Sequence, residues 1–176
     1  AASVRKALGI KTLFNVLGPL TNPAGAKRQV MGVYDPALLV KQAQVLQNLG
    51  SSRVMIVRGE DGLDEISPAG VTRIAELHDG RISEYTVCVE DFGLAPVDLV
   101  SICVDGVEQA VKMLRGSLSG GFEQGKTAVS LNAGAALYVL GLGESLQDSV
   151  GLARSVIESG AALEKLEEFV AYSNAI

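Results

Sequence analysis

The sequence predicts an α/β protein: a partial open sheet with parallel strands, a β-hairpin joined to it, and flanking helices. Three observations carry this expectation. A strand–helix–strand pattern spans residues 29–57, Asp79-Gly80 separates two strand-like runs, and the chain beyond Cys88 turns mainly to helical spacing. Of the 176 residues, 48% are apolar and 20% charged, the balance of an ordinary globular protein.

Residues 1–9 are compatible with the tail of a helix stopped at Gly9. Residues 14–23 follow as an irregular segment, because Pro19, Pro23 and Gly18 exclude a regular helix there. The segment is apolar for a surface loop, so it either packs on a core or lines a pocket. Residues 29–34 read as a buried strand. Asp35-Pro36 then opens a helix with an acidic cap and a proline in its first turn. Leu39, Ala43 and Leu46 recur at helical spacing, and Gly50 is placed to end that helix. Residues 53–57 form a second short apolar strand, so the unit implies a parallel pair with a right-handed crossover.

A loop covers 58–70. The hairpin takes 72–78 and 81–87, since a two-residue turn wants positive φ at both central positions and Asp-Gly supplies it. Helices are expected at 107–118, 126–140, 146–159 and 162–172. The second is apolar almost all round and therefore buried. Ser145 and Asp148 stand at capping-box spacing before the third, and Gly160 can close it. In the fourth, Leu163, Leu166 and Phe169 define the inner face. Four strands are fewer than the five or six of a usual open sheet. Together with the absence of an initiator Met before Ala1, this suggests a sheet whose other strands lie upstream.

Composition excludes several classes of function. No apolar run reaches the ~18 residues of a membrane helix, and no signal peptide opens the chain. A net charge of −5 disfavours nucleic acid and anionic membranes as partners, because both reward clustered Lys and Arg. Cys88 and Cys103 are too few for a disulfide framework or a four-cysteine zinc site and read as small core residues of a reducing, cytoplasmic protein. His78, the only histidine, flanks the hairpin turn opposite Arg81 and reads as solvent-exposed. Asn132 reads as a hydrogen-bonded residue of a buried helix. No phosphate-binding Gly-rich loop and no nucleophile–histidine–acid order is present.

Three places could carry chemistry. The densest polar cluster runs from Gly59 to Glu65, just beyond a strand, where open α/β sheets bind ligands. Asp64 and Glu65 are hard oxygen ligands of the kind Mg²⁺ takes when a phosphate supplies the remaining contacts. The plainer reading is an acidic surface turn reversed at Asp61-Gly62. Arg5 could hold a planar carboxylate in two hydrogen bonds, or stand solvated on a helix beside Lys6. Gly18, before Pro19, could let a ligand approach the backbone, or simply turn the chain.

These features occur in a recognisable order. Residues 4–24, VRKALGIKTLFNVLGPLTNPA, resemble the anthranilate phosphoribosyltransferase family, as do Val33-Tyr34-Asp35, residues 59–67 (GEDGLDEIS), Asp91-Phe92-Gly93, Leu131-Asn132-Ala133 and Ser159-Gly160-Ala161-Ala162. The resemblance covers residues 1–176 and implies the C-terminal portion of that family's α/β catalytic domain, of the type shared with nucleoside phosphorylases. It implies a pentosyltransferase of tryptophan biosynthesis that joins anthranilate to phosphoribosyl pyrophosphate with Mg²⁺. No side chain is expected to act as a catalytic nucleophile or base. Arg5 matches the arginine that binds the anthranilate carboxylate, Gly18 and Pro19 the loop at the anthranilate channel, and Asp64 and Glu65 the pair that holds the metal.

The family's Gly-Thr-Gly-Gly-Asp pyrophosphate loop and Lys-His-Gly-Asn segment have no counterpart among these residues, nor has its N-terminal helical region, through which it forms homodimers. The isolated chain is therefore expected to be inactive. Arg58 stands where the family usually has histidine, and residues 102–105 replace a more glycine-rich turn, so no role carries to either place. Two alternatives are a pyrimidine-nucleoside phosphorylase relative and a catalytically silent paralogue that binds nucleic acid. The first needs a nucleobase pocket in place of Arg5; the second should be basic and lack the Asp64-Glu65 pair.

Overall fold

A computed structural model describes residues 17–175 of the chain. Its sheet has four strands in spatial order β1 (Arg28–Gly32), β2 (Arg53–Gly59), β3 (Thr72–His78) and β4 (Arg81–Val87). The first pair is parallel, with Val30 beside Met55, and the other two pairs are antiparallel. Between β1 and β2 runs α1 (Leu39–Asn48), entered through a 3-10 turn at Pro36–Leu38. The Asp35 side chain caps that turn by accepting from the Ala37 N–H. The helices after the sheet are α2 (Val107–Leu118), α3 (Glu123–Leu140), α4 (Leu146–Glu158) and α5 (Ala161–Asn174).

Side chains alternate across a strand, and here both faces are covered. Val54 and Ile56 of β2 join Met31, Ala75 and Leu77 under Leu39, Ala43 and Leu46 of α1. Met55 and Val57 join Ile74 under Leu131, Ala135 and Val139 of α3 and Val150 of α4. Residues 54–57 are therefore buried without a gap, which is why this stretch reads as a continuous apolar run. Among the described residues, the sheet sits between α1 on one side and α3 with α4 on the other. At Gly134 a Cβ would lie 2.6 Å from the Val150 Cα, so glycine sets how closely α4 can approach α3.

The hairpin forms as expected: His78 pairs with Arg81, and Asp79 and Gly80 have φ of 49° and 73°. The Ser145 hydroxyl accepts from the Asp148 N–H at the start of α4. Several expectations change. The segment 14–23, expected to be irregular, contains a 3-10 turn at Gly18–Thr21 whose start tolerates proline. The first strand is shorter and the second longer than expected. Helix α3 begins three residues early, at Glu123, because its cap is Phe122, which makes no side-chain hydrogen bond and so leaves no capping signal. Phe169 does not face inward: it is 66% exposed, and α5 contains no buried residue. Spacing defines an apolar stripe but not whether anything covers it. Cys103 likewise is exposed and not a core residue, because it ends a 3-10 turn on the surface. Among the described residues no helix is long and apolar enough to cross a membrane.

Candidate functional site

The acidic loop leaves β2 at its C-terminal end, beside the end of the parallel strand β1, the position at which open α/β sheets present ligand-binding loops. It turns at once: the Leu63 carbonyl accepts from the Gly59 N–H at 2.8 Å, and the Gly59 carbonyl from the Gly62 N–H at 3.0 Å. The four acids of the loop then divide into two kinds. Asp61, though exposed, folds back on the loop, accepting from the Leu63 N–H at 3.0 Å and from the Ser67 hydroxyl. Glu60 lies 4.0 Å from Arg73 in an exposed ion pair. Asp64 and Glu65 are exposed, and their carboxylates take part in none of the hydrogen bonds or ion pairs among the described residues.

That division is a test of metal binding. Asp61 is already oriented by the Leu63 N–H and the Ser67 hydroxyl, whereas Asp64 and Glu65 are two neighbouring carboxylates with no such partner among the described residues, which suits a hard ion. Among the described residues no three His, Cys, Asp or Glu side chains come together as a metal-binding group. The fit is therefore to a cation that draws its remaining oxygens from a ligand and water, as Mg²⁺ does with phosphates.

The loop's backbone is held from three directions. A Cβ built on Gly32 would overlap the Asp64 carbonyl and lie 3.0 Å from the Asp64 Cβ, so the end of β1 seats the Asp64 main chain only because it lacks a side chain. Asn132 of α3 accepts from the Ile66 N–H at 2.9 Å and donates to the Ile66 carbonyl at 3.1 Å. The Ser67 N–H donates to the buried Thr72 hydroxyl at 2.9 Å. Arg58 donates to the Tyr34 carbonyl at 3.1 Å and to the Gly59 carbonyl, tying the exits of the two parallel strands together.

The other expected site residues lie elsewhere. Arg5 is outside the described residues. Gly18 opens the 3-10 turn and Pro19 follows it. A Cβ at Gly18 would meet nothing within 4 Å, so the packing of the described residues does not demand glycine there. Leu20 of the same turn packs on the α1 side of the core and borders a hollow with Lys27, Gln29 and Ser51, near the beginnings of β1 and β2. No hydrogen bond among the described residues joins this turn to the acidic loop.

Sequence reasoning missed a polar cluster inside the sheet. Glu76 is 6% exposed, and Tyr85 donates to it at 2.8 Å. The Arg53 guanidinium lies 3.7 Å from Glu76 and 4.0 Å from the centre of the Tyr138 ring. Burial, and then the neighbouring Glu76 charge, push the Tyr85 phenol well above its ordinary value of 10. Period-two alternation could have found Glu76, which follows Ile74 on the face that α3 covers. His78 is half-exposed and 3.9 Å from Glu76. A hollow of about 410 Å³ lies beside the start of α3, rimmed by Pro96, Asp98, Gln124, Thr127 and Arg154. Glu123 also lines it and pairs with Arg154, which reaches Glu158 outside the hollow as well.

Residues 1–163 match the family model described as the glycosyl transferase family, a/b domain. The chain is 49% identical to the anthranilate phosphoribosyltransferase of Nitrosospira multiformis, covering 99% of this chain and 51% of that protein. With the enzyme of the same name from Nitrosomonas europaea the identity is also 49%, over 100% of this chain and 52% of that protein. The crystal structure of anthranilate phosphoribosyltransferase from Thermus thermophilus has a TM-score of 0.86 at 40% identity, over 98% of this chain and 51% of that one. The Saccharomyces cerevisiae enzyme in complex with PRPP and Mg has a TM-score of 0.85 at 27% identity, over 99% of this chain and 51% of that one. The chain thus spans about half the length of the relatives it matches. By its sequence match and its sheet, this chain belongs to the glycosyl transferase family and carries the family's a/b domain.

Proposed function

We propose that this chain is the C-terminal portion of the catalytic domain of an anthranilate phosphoribosyltransferase. The complete polypeptide transfers phosphoribosyl from phosphoribosyl pyrophosphate to anthranilate, giving phosphoribosylanthranilate and pyrophosphate. The observation that carries this is the Asp64-Glu65 pair, two carboxylates left unspent among the described residues at the end of the parallel strands, in a chain nearly half identical to enzymes of that name. The yeast relative was solved with PRPP and Mg together, which supports the same ligand pair here.

The reaction is a displacement at the anomeric carbon of the ribose. The neutral amine of anthranilate forms the new C–N bond as the C–O bond to pyrophosphate breaks, and the amine then loses a proton. No side chain needs to act as a nucleophile, so positioning and electrostatics supply the catalysis. Asp64 and Glu65 would hold Mg²⁺. When bound, that ion neutralises and orients the departing pyrophosphate. Arg5 holds the anthranilate carboxylate in a charge-assisted pair. Gly18 and Pro19 border the approach of the aromatic ring, and a glycine whose neighbourhood is open suits that role. The complete protein works in the cytoplasm as a homodimer, with neither nucleic acid nor membrane as partner.

Anthranilate fluorescence provides the test. The complete polypeptide, given Mg²⁺ and phosphoribosyl pyrophosphate, should consume the fluorescence steadily; failure to do so rejects the reading. The 176 residues alone should not turn over, because they span only about half the length of the enzymes they match.

A further inference from the structure

The geometry points to Asn132 as the positioning residue of the Asp64-Glu65 pair, acting through the backbone of Ile66. The inference rests on reading that pair as metal ligands and adds a residue that touches neither metal nor substrate. Asn132 lies in the middle of α3, sixty-six residues from the loop it holds. Its carboxamide meets Ile66 as a neighbouring strand would, accepting from the N–H at 2.9 Å and donating to the carbonyl at 3.1 Å. The second N–H goes to the Ala128 carbonyl at 3.1 Å, one turn back in the same helix. Both donors of the amide are thus used, along with one acceptor position.

This pattern admits one orientation of the amide. Flipped, its NH₂ would face the Ile66 N–H and its oxygen would face two carbonyls. Aspartate could keep the bond to the Ile66 N–H, but its other oxygen would oppose the same two carbonyls. The side chain of Ile66 is 1% exposed and belongs to the core under α3, so helix and loop are joined at one residue by packing and by backbone recognition together. Glu65 is the next residue toward the N-terminus, and the Asp64 carbonyl beyond it is seated on Gly32. The two exposed carboxylates therefore project from a short stretch pinned at both ends, by β1 before it and by α3 after it. Without Asn132, Ile66 keeps its apolar anchor but loses the bonds that fix its peptide planes, and the direction of the carboxylates is no longer set.

The test uses the complete polypeptide with two readouts. Amide hydrogen exchange follows Ile66 against the β3–β4 hairpin. Electron paramagnetic resonance counts free Mn²⁺ during a titration at fixed phosphoribosyl pyrophosphate. Asn132→Ser is the principal variant: its hydroxyl can still bond the Ala128 carbonyl but is too short to reach Ile66. Asn132→Asp is the second, and Asp64→Asn is the reference. We expect Asn132→Ser and Asn132→Asp to weaken Mn²⁺ binding about tenfold, the lower end for partners that orient a metal ligand. Stoichiometry and hairpin exchange should stay unchanged, while the Ile66 amide exchanges faster. Mn²⁺ affinity within about twofold of the unsubstituted protein, well short of the effect expected for such partners, overturns the proposal if Asp64→Asn does weaken binding. Faster exchange in the hairpin as well overturns it too, since Asn132 would then support the whole domain. If Asp64→Asn leaves Mn²⁺ affinity unchanged, the metal reading itself fails and takes the positioning role with it.

Discussion

Ser67 donates its hydroxyl proton to Asp61 six residues earlier and accepts from the Ala69 N–H at 3.0 Å, so one buried side chain closes the acidic loop at its base. Ser67→Ala removes the donor and leaves Asp61 with the Leu63 N–H alone. The expected cost is about 1–2 kcal/mol, read as a lower midpoint in urea unfolding with the slope unchanged.

The seat under Asp64 gives a second prediction. Gly32→Ala forces a methyl group into the Asp64 carbonyl, which is backbone and can yield only by moving the loop. Destabilisation of about 1–3 kcal/mol is expected. Glycine at unobstructed Gly18 should be replaceable by alanine at far smaller cost to unfolding. Equal losses at the two positions would contradict the packing argument.

Asp64 and Asp61 should separate function from structure. In the complete polypeptide, Asp64→Asn should raise the Mg²⁺ concentration for half-maximal rate by about tenfold or more, with little change in melting temperature. Asp61→Asn should do the reverse, because its carboxylate serves Leu63 and Ser67. Unchanged metal dependence in Asp64→Asn rejects its assigned role.

Arg5→Ala tests the carboxylate contact. Loss of a charge-assisted pair of about 1.5–3 kcal/mol corresponds to a rise of roughly 10- to 100-fold in the KM for anthranilate. The KM for phosphoribosyl pyrophosphate should move little. An unaltered anthranilate KM argues against the contact.

Tyr85 predicts a pH dependence. Its phenol is raised above the ordinary value of 10 by burial and by Glu76. A group whose folded value is raised contributes stability that is complete below the unfolded value and lost as pH rises above it. Stability should therefore fall on the alkaline side of about pH 10, and Tyr85→Phe should flatten that limb. The same substitution also removes the hydrogen bond to buried Glu76, whose other oxygen already lacks a hydrogen-bond partner, so about 1–3 kcal/mol is lost at neutral pH. Chemical unfolding from about pH 7 to 11, a range that brackets the ordinary phenol value, measures both effects.

Much of the fold was legible because its signals are local. Val54 to Val57 announce a strand covered on both faces, Asp79-Gly80 announces the hairpin turn, and Ser145 announces the start of α4. Each depends on residues a few positions apart. Helix α3 starts without a capping side chain and its first turn went unseen. Phe169 shares its spacing with core residues and is exposed nonetheless. Burial is a property of what lies opposite, and spacing within one helix carries no information about that.

The candidate site divides along the same line. By itself the sequence determined that the protein is acidic and α/β, that its parallel strands end in a loop of four acids, and which family pattern that loop follows. Only the tertiary structure decided how those acids are used. Asp61 folds back to Ser67 and Leu63, and Glu60 leans to Arg73. Among the described residues Asp64 and Glu65 remain free, because Gly32, Asn132 and Thr72 hold the backbone beneath them. The physical reason is that a carboxylate's availability depends on whether backbone amides and cations elsewhere in the chain reach it first. Those partners lie up to sixty-six residues away, and only folding brings them to the loop.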